Sequence, residues 1–111
     1  MSYIHKEING ADVVDLDGSI DLYSAPPVKK FLKSLLRNDN KKIIISLEKV
    51  TFLDSSGLGM LVNLFFECKQ LEIGIKLANV SAEAKNVFRQ TKMENNFEIY
   101  ESLEEALASF L

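Results

Sequence analysis

The sequence is short of the residues that staple, ligate or anchor a chain. It has one cysteine, Cys68, and one histidine, His5, in 111 residues. An internal disulfide is therefore excluded, and so is a Cys/His zinc cluster. This usage fits a reducing, cytosolic compartment. There is no Gly/Ser-rich or Pro-rich linker, no repeat and no low-complexity tract, so the chain reads as one domain over residues 1–111. The longest apolar stretch, Leu58 to Phe66, is far below the roughly 18 residues of a membrane span. The start, MSYIHKEING, lacks the charged and apolar regions of a secretory signal. Basic excess is missing too: 13 Lys and Arg stand against 16 Asp and Glu, a net charge of −3. No general field draws this chain to nucleic acid or an anionic membrane.

What is present is a core-forming composition, 47% hydrophobic and 26% charged, in a chain able to bury roughly 60–70% of its unfolded surface. Tyr3–Ile8 and Asp12–Asp17 alternate around Asn9-Gly10-Ala11, which predicts a β-hairpin. Gly18 to Tyr23 reads as a loop or short extended piece. Ser24 is placed to cap a helix whose first turn holds Pro26 and Pro27. Val28, Phe31, Leu32, Leu35 and Leu36 form its apolar face, with Lys29, Lys30, Lys33 and Arg37 opposite, and it ends near Asn38–Asn40.

Lys41–Leu47 is a β-branched run of the kind found in strands covered on both faces. After Val50–Leu53 comes a strongly apolar helix to about Gln70, then a strand at Ile73–Ala78. Ser81 caps a helix to about Gln90, Phe97–Tyr100 is a short strand, and Ser102-Leu103-Glu104-Glu105 is a capping box opening a last helix to Leu111. The alternation predicts βαβ units. The fold expectation is an α/β mixed sheet of four to five strands with an N-terminal hairpin and about four helices.

The chemistry concentrates at Asp54-Ser55-Ser56-Gly57-Leu58-Gly59, where a strand feeds through small residues into a helix. Unpaired N–H groups and the positive end of the helix dipole make that junction favourable for an anion, bound or attached to a serine. The bland alternative is that Asp54 or Ser55 is only an N-cap. A phosphate loop would need a Lys after the glycines, and a hydrolase elbow would read G-x-S-x-G; neither is present. His5 lies in the first strand and is read as an ordinary sheet residue. No acid/base pair remains, so an enzyme, a metal site and a cofactor are not expected. Stepping 100° per residue along the helix puts Leu58, Leu61, Val62, Phe65 and Cys68 inward. Ser56, Met60, Asn63 and Glu67 fall outward, flanked by Leu64 and Phe66, as a partner-docking stripe. Burial by neighbouring elements is the competing reading for Leu64 and Phe66. An outward apolar stripe would serve a homodimer as well as a heteromeric complex.

These residues, with the Ile43–Leu47 strand before them and Gly18-Ser19-Ile20-Asp21 before the first helix, resemble the bacterial STAS domains of anti-sigma-factor antagonists. The likeness covers nearly the whole chain. It implies that Ser55 is phosphorylated by an anti-sigma factor that is itself a serine kinase and binds the ATP, with Ser56 the second choice. A phosphatase would reverse the modification. The unmodified chain would bind the kinase and free a sigma factor, and phosphorylation would release it. Asp21, Asp54, Ser55, Ser56, Gly57, Leu58, Gly59, Met60, Asn63 and Glu67 are the implied partner-binding residues. Asp21 and Asp54 would orient the hydroxyl or the kinase's nucleotide. Ser19 stands where the family usually has an acid. A STAS module in a stress-sensing scaffold or transporter, or a small-molecule binder using the helix start, are the alternatives.

Overall fold

The computed structural model describes residues 1–111. Strands Ser2–Ile8 (β1) and Ala11–Ile20 (β2) pair antiparallel, with Ile8 opposite Ala11. Asn9 (φ 51°) and Gly10 (φ 80°) lie between them in the left-handed region. That combination is a type I′ turn, whose twist matches the strands it joins, and Asn and Gly adopt it at least steric cost.

β2 does not stop at Asp17. It runs on through Gly18, at φ 109°, and its register against the next strand slips twice, between Asp15 and Asp17 and between Gly18 and Ser19. A glycine without a Cβ lets the strand bulge and keep pairing, so Gly18–Ile20 takes the extended one of its two expected forms. This extension carries Ile20 into the core and sets Asp21 at the end of the sheet.

Helix Ala25–Ser34 (α1) follows, closed by a 3-10 turn at Leu35–Arg37. Next comes one twelve-residue strand, Lys42–Leu53 (β3), in place of the two pieces read from the sequence. The remaining elements are helix Ser55–Gln70 (α2), strand Gly74–Ala78 (β4), helix Ala82–Gln90 (α3), strand Ile99–Tyr100 (β5) and helix Leu103–Ala108 (α4). The last strand is shorter than Phe97–Tyr100, because a 3-10 turn at Glu94–Asn96 occupies its approach. Strand order is β1-β2-β3-β4-β5, with every pair after the first parallel. The mixed sheet with an N-terminal hairpin and four helices is the expected architecture.

The three crossovers all step the same way across the sheet, so right-handed connections put α1, α2 and α3 on one face. Val14, Leu16, Ile43, Ile45, Leu47 and Leu77 meet Val28 and Leu32 of α1, Leu61 and Leu64 of α2, and Phe88 of α3 there, in one core. Residues one step along point the other way. Val13, Ile44 and Ala78 pack against Ala106 of α4. A buried cation helps to hold that last helix. The Lys76 ammonium sits 4.0 Å from the Phe110 ring centroid and 5.2 Å from that of Tyr100. It also pairs with Glu98 at 3.3 Å and donates to Ser109 Oγ. Gly74 leaves room for this arrangement, since a Cβ there would come within 2.6 Å of the Phe110 ring. No helix is long and apolar enough to cross a membrane.

Cys68 lies wholly inside the main core. Burial, with a smaller contribution from the Glu67 carboxylate, pushes its thiol up to about 11. The thiol form is therefore retained in the folded chain well above the pH at which it ionises in the unfolded chain. Iodoacetamide at mildly alkaline pH should leave Cys68 unmodified in the native protein and label it fully in guanidinium chloride, as read by intact mass. Rapid native labelling would show that the core opens there.

Candidate functional site

The junction between β3 and α2 is built around one carboxylate. Asp54 is extended (φ −100°, ψ −173°) and is the N-cap of α2. Its Oδ1 accepts from the amides of Ser56 (2.9 Å) and Gly57 (3.1 Å), and its Oδ2 accepts from the amide of Leu22 (3.2 Å). The Asp54 amide itself donates to the Ile20 carbonyl at 3.2 Å. One side chain therefore satisfies two helix-start donors and ties the α2 start to the turn before α1. Capping falls to Asp54, which leaves the Ser55 hydroxyl unused as a cap at the first position of the helix. Ser55 is exposed and Ser56 half-buried.

The turn facing this junction has its own carboxylate. Asp21 Oδ1 accepts from the amides of Tyr23 and Ser24, both at 2.9 Å. Ser24 is the N-cap residue of α1, but its side chain accepts from no amide of the helix. Its hydroxyl donates to the Ser19 carbonyl at 2.7 Å and accepts from the Asp21 amide at 2.9 Å, inside the turn. The two positions whose amides a serine there would accept are Pro26 and Pro27, which have no N–H to give. The Ser24 amide bond is the main reason the Asp21 carboxyl lies below its ordinary value, helped by the Tyr23 amide and the Ser24 hydroxyl against a smaller opposing desolvation. Both aspartates expected to act on the serine or the kinase thus spend an oxygen on backbone amides, and each holds a loop.

Along α2 the structure corrects the expected stripe. Met60 is only 3% exposed, and Gly57, Leu58 and Leu64 are buried with it. The reason is that α2 packs against α1 as well as the sheet, so its buried arc is wider than a single face. Val62 and Phe65, placed inward by periodicity, are only half-buried, while Phe66 is 62% exposed. Glu67 is engaged by Lys33 of α1 at 3.3 Å. Ser55, Gly59 and Asn63 are the exposed residues of the expected set on α2.

A groove of about 420 Å³ lies between the starts of α1 and α2. It brings Ser55, Ser56, Gly59, Met60 and Asn63 together with Leu22, Ala25, Pro26 and Lys29. Leu22 in its wall is largely open, the next residue, Tyr23, is 85% exposed, and Phe52 near the end of β3 is exposed as well. Sequence reading missed Leu22, Tyr23, Phe52 and Lys29. The available signal was a pair of apolar residues, Leu22-Tyr23, in a stretch otherwise read as loop. No group of three or more His, Cys, Asp or Glu side chains converges in a way that could hold a metal.

The two glycines of the junction differ. A Cβ on Gly57 would lie 2.7 Å from the Ile20 carbonyl oxygen and 2.6 Å from Leu53 Cδ1, whereas one on Gly59 would meet nothing within 4 Å. Gly57→Ala should cost about 1–3 kcal/mol by overpacking. Gly59→Ala should gain about 0.5–1 kcal/mol from helix propensity. Urea denaturation of the two variants checks the opposite signs. Asp21 should show its role at low pH. A lowered carboxyl contributes stability that is present above its ordinary pKa and lost as pH falls through the folded value. The Tyr23 and Ser24 amide resonances should therefore move with a midpoint below the ordinary aspartate value of about 3.9, and Asp21→Asn should abolish that step.

Residues 3–106 match the family model for the STAS domain. The anti-sigma-B factor antagonist of Listeria monocytogenes is 31% identical over 100 residues, covering 86% of this chain and 88% of its own. The anti-sigma-B factor antagonist of Staphylococcus aureus is 25% identical over 91 residues, covering 82% and 84%. An anti-sigma factor antagonist from Mycobacterium paratuberculosis superposes with a TM-score of 0.88 over 97% of this chain and 92% of that one, at 23% identity. The unphosphorylated form of the anti-sigma factor antagonist SpoIIAA gives 0.79 over 98% and 96%, at 21% identity. The capped α2 start, the hairpin-led sheet and these matches agree: the chain belongs to the STAS domain family.

Proposed function

We propose that this single-domain protein is an anti-sigma-factor antagonist switched by phosphorylation of Ser55. Unmodified, it docks on an anti-sigma factor that is also a serine kinase, through the surface around the α1–α2 groove, and so frees a sigma factor. Phosphorylation by that kinase, using ATP held by the kinase, abolishes the contact, and a phosphatase restores it. Transfer chemistry belongs to those partners, and the chain's role is binding in the cytoplasm. The relatives named anti-sigma-B factor antagonist support this reading at the level of the antagonist role. The observation that carries the modification is the exposed Ser55 at the first position of a helix already capped by Asp54.

A phosphate at Ser55 adds about 1.5 to 2 negative charges. At a helix N-terminus such charge is favourable, and the capping bonds of Asp54 leave the serine side chain free to carry it. The switch is then one of surface charge and not of refolding. A partner carboxylate approaching to ~6 Å would be repelled by about 2.8 kcal/mol per charge pair at an effective dielectric of ~20. That is roughly a hundredfold in affinity.

Incubation with the cognate anti-sigma factor kinase and ATP should place one phosphate on Ser55, as read by peptide mass spectrometry. A phosphate found only on Ser56 or Ser24 would overturn the assignment. Ser55→Asp should weaken binding of that factor in calorimetry while far-UV circular dichroism stays unchanged. A loss of helix would favour refolding.

A further inference from the structure

The groove beside Ser55 differs in charge from the rest of the chain. From Ala25 to Arg37 there are four cations, Lys29, Lys30, Lys33 and Arg37, and no acid, in a protein of net charge −3. One helical turn separates Lys29 from Lys33 on α1, and one turn separates Asn63 from Glu67 on α2. The second rung is closed by the Lys33–Glu67 pair at 3.3 Å. At the first rung Lys29 shares the groove with neutral Asn63, and Lys29 is the one charged side chain among the groove's lining residues. Lys29 is half-buried, and no carboxylate lies within ion-pair distance of it. Side chains on a helix lean toward its N-terminus, and for Lys29 that is the end of the groove where Ser55 stands. A half-buried cation without a counter-ion, in a groove walled by uncharged residues, is complementary to an anion.

We propose that Lys29 is the charge reader of this groove. In the unmodified chain it receives a carboxylate side chain of the docking protein, and after modification the phosphate on Ser55 takes it instead. The proposal rests on the phosphorylation reading and adds the residue through which it acts. Phosphate at Ser55 then works twice in one direction, repelling the incoming carboxylate and withdrawing its counter-ion. Lys30, exposed on the same helix and outside the groove, is the internal control.

Two measurements test this. First, the chain carrying phosphoserine installed at position 55 is titrated by phosphorus NMR, alone and with Lys29→Gln or Lys30→Gln. The second ionisation of the phosphate should move to higher pH in Lys29→Gln and stay put in Lys30→Gln. Identical titrations in all three overturn the proposal, whether or not a partner is known. Second, binding of the unmodified chains to the anti-sigma factor is measured by calorimetry at two salt concentrations. Lys29→Gln should weaken binding about tenfold and flatten its salt dependence, while Lys30→Gln changes it by less than about twofold. Equal losses in both variants would mean a general field and would overturn it. An anti-sigma factor that fails to bind the wild-type chain overturns the functional reading and the carboxylate half of the proposal with it, and the phosphate titration still decides the other half. Thermal melts of both variants should match the wild type, because Lys29 makes no ion pair to lose.

Discussion

The arrangement at the end of the sheet depends on the Asp54 carboxylate. It binds the amides of Ser56 and Gly57 on one side and of Leu22 on the other. With the Asp54 amide on the Ile20 carbonyl, this fixes where α2 begins relative to the turn that starts α1. Ser55 is exposed because its neighbour does the capping, and the groove exists because both helices leave the sheet from the same end. Parallel strands connected by same-handed crossovers make that convergence a property of the topology. Gly57 completes it, since the helix start lies so close to Ile20 that a methyl group would not fit.

Rigidity at this junction is what a charge switch requires. Asp54 and Asp21 are anchored on amides, Glu67 on Lys33, and Met60, Leu61 and Leu64 in the core. The parts left free at the groove are the Ser55 hydroxyl, the Lys29 ammonium, Gly59, Asn63 and the open side chain of Leu22, with Tyr23 and Phe52 exposed as well. An apolar surround with a small polar centre is the usual anatomy of a docking surface, in which adding charge at the centre is more costly than at the rim.

Much of this was legible in the sequence wherever the deciding interaction is local. Ser81 and Ser102 do cap α3 and α4, accepting from Ala84 and Glu105, because a cap depends on residues three apart. Asn9-Gly10 gave its turn for the same reason, and the Ile43–Leu47 run gave a buried central strand. Ser24 stands at the N-cap position as expected, but Pro26 and Pro27 offer its side chain no amide, and its hydroxyl turns back to Ser19 and Asp21. Met60 was misread because periodicity resolves one buried face, and α1 adds a second. Gly18–Tyr23 left loop and extended piece open, because a strand that bulges is recognisable only against its partner, and the extended alternative holds as far as Ile20. Lys29 carried no signal at all: its meaning comes from Asn63 lying where Glu67 lies one turn later, a relation between two helices.

On the proposed switch, phosphate at Ser55 adds charge to a frame that does not move. Backbone amide shifts of the uniformly labelled chain, compared with and without phosphate on Ser55, test it most directly. Changes should be confined to residues 19–24, 53–60 and the neighbourhood of Lys29, with β4, β5, α3 and α4 unmoved. Shifts spread through the sheet and the far helices, or loss of the α2 resonances, would contradict it.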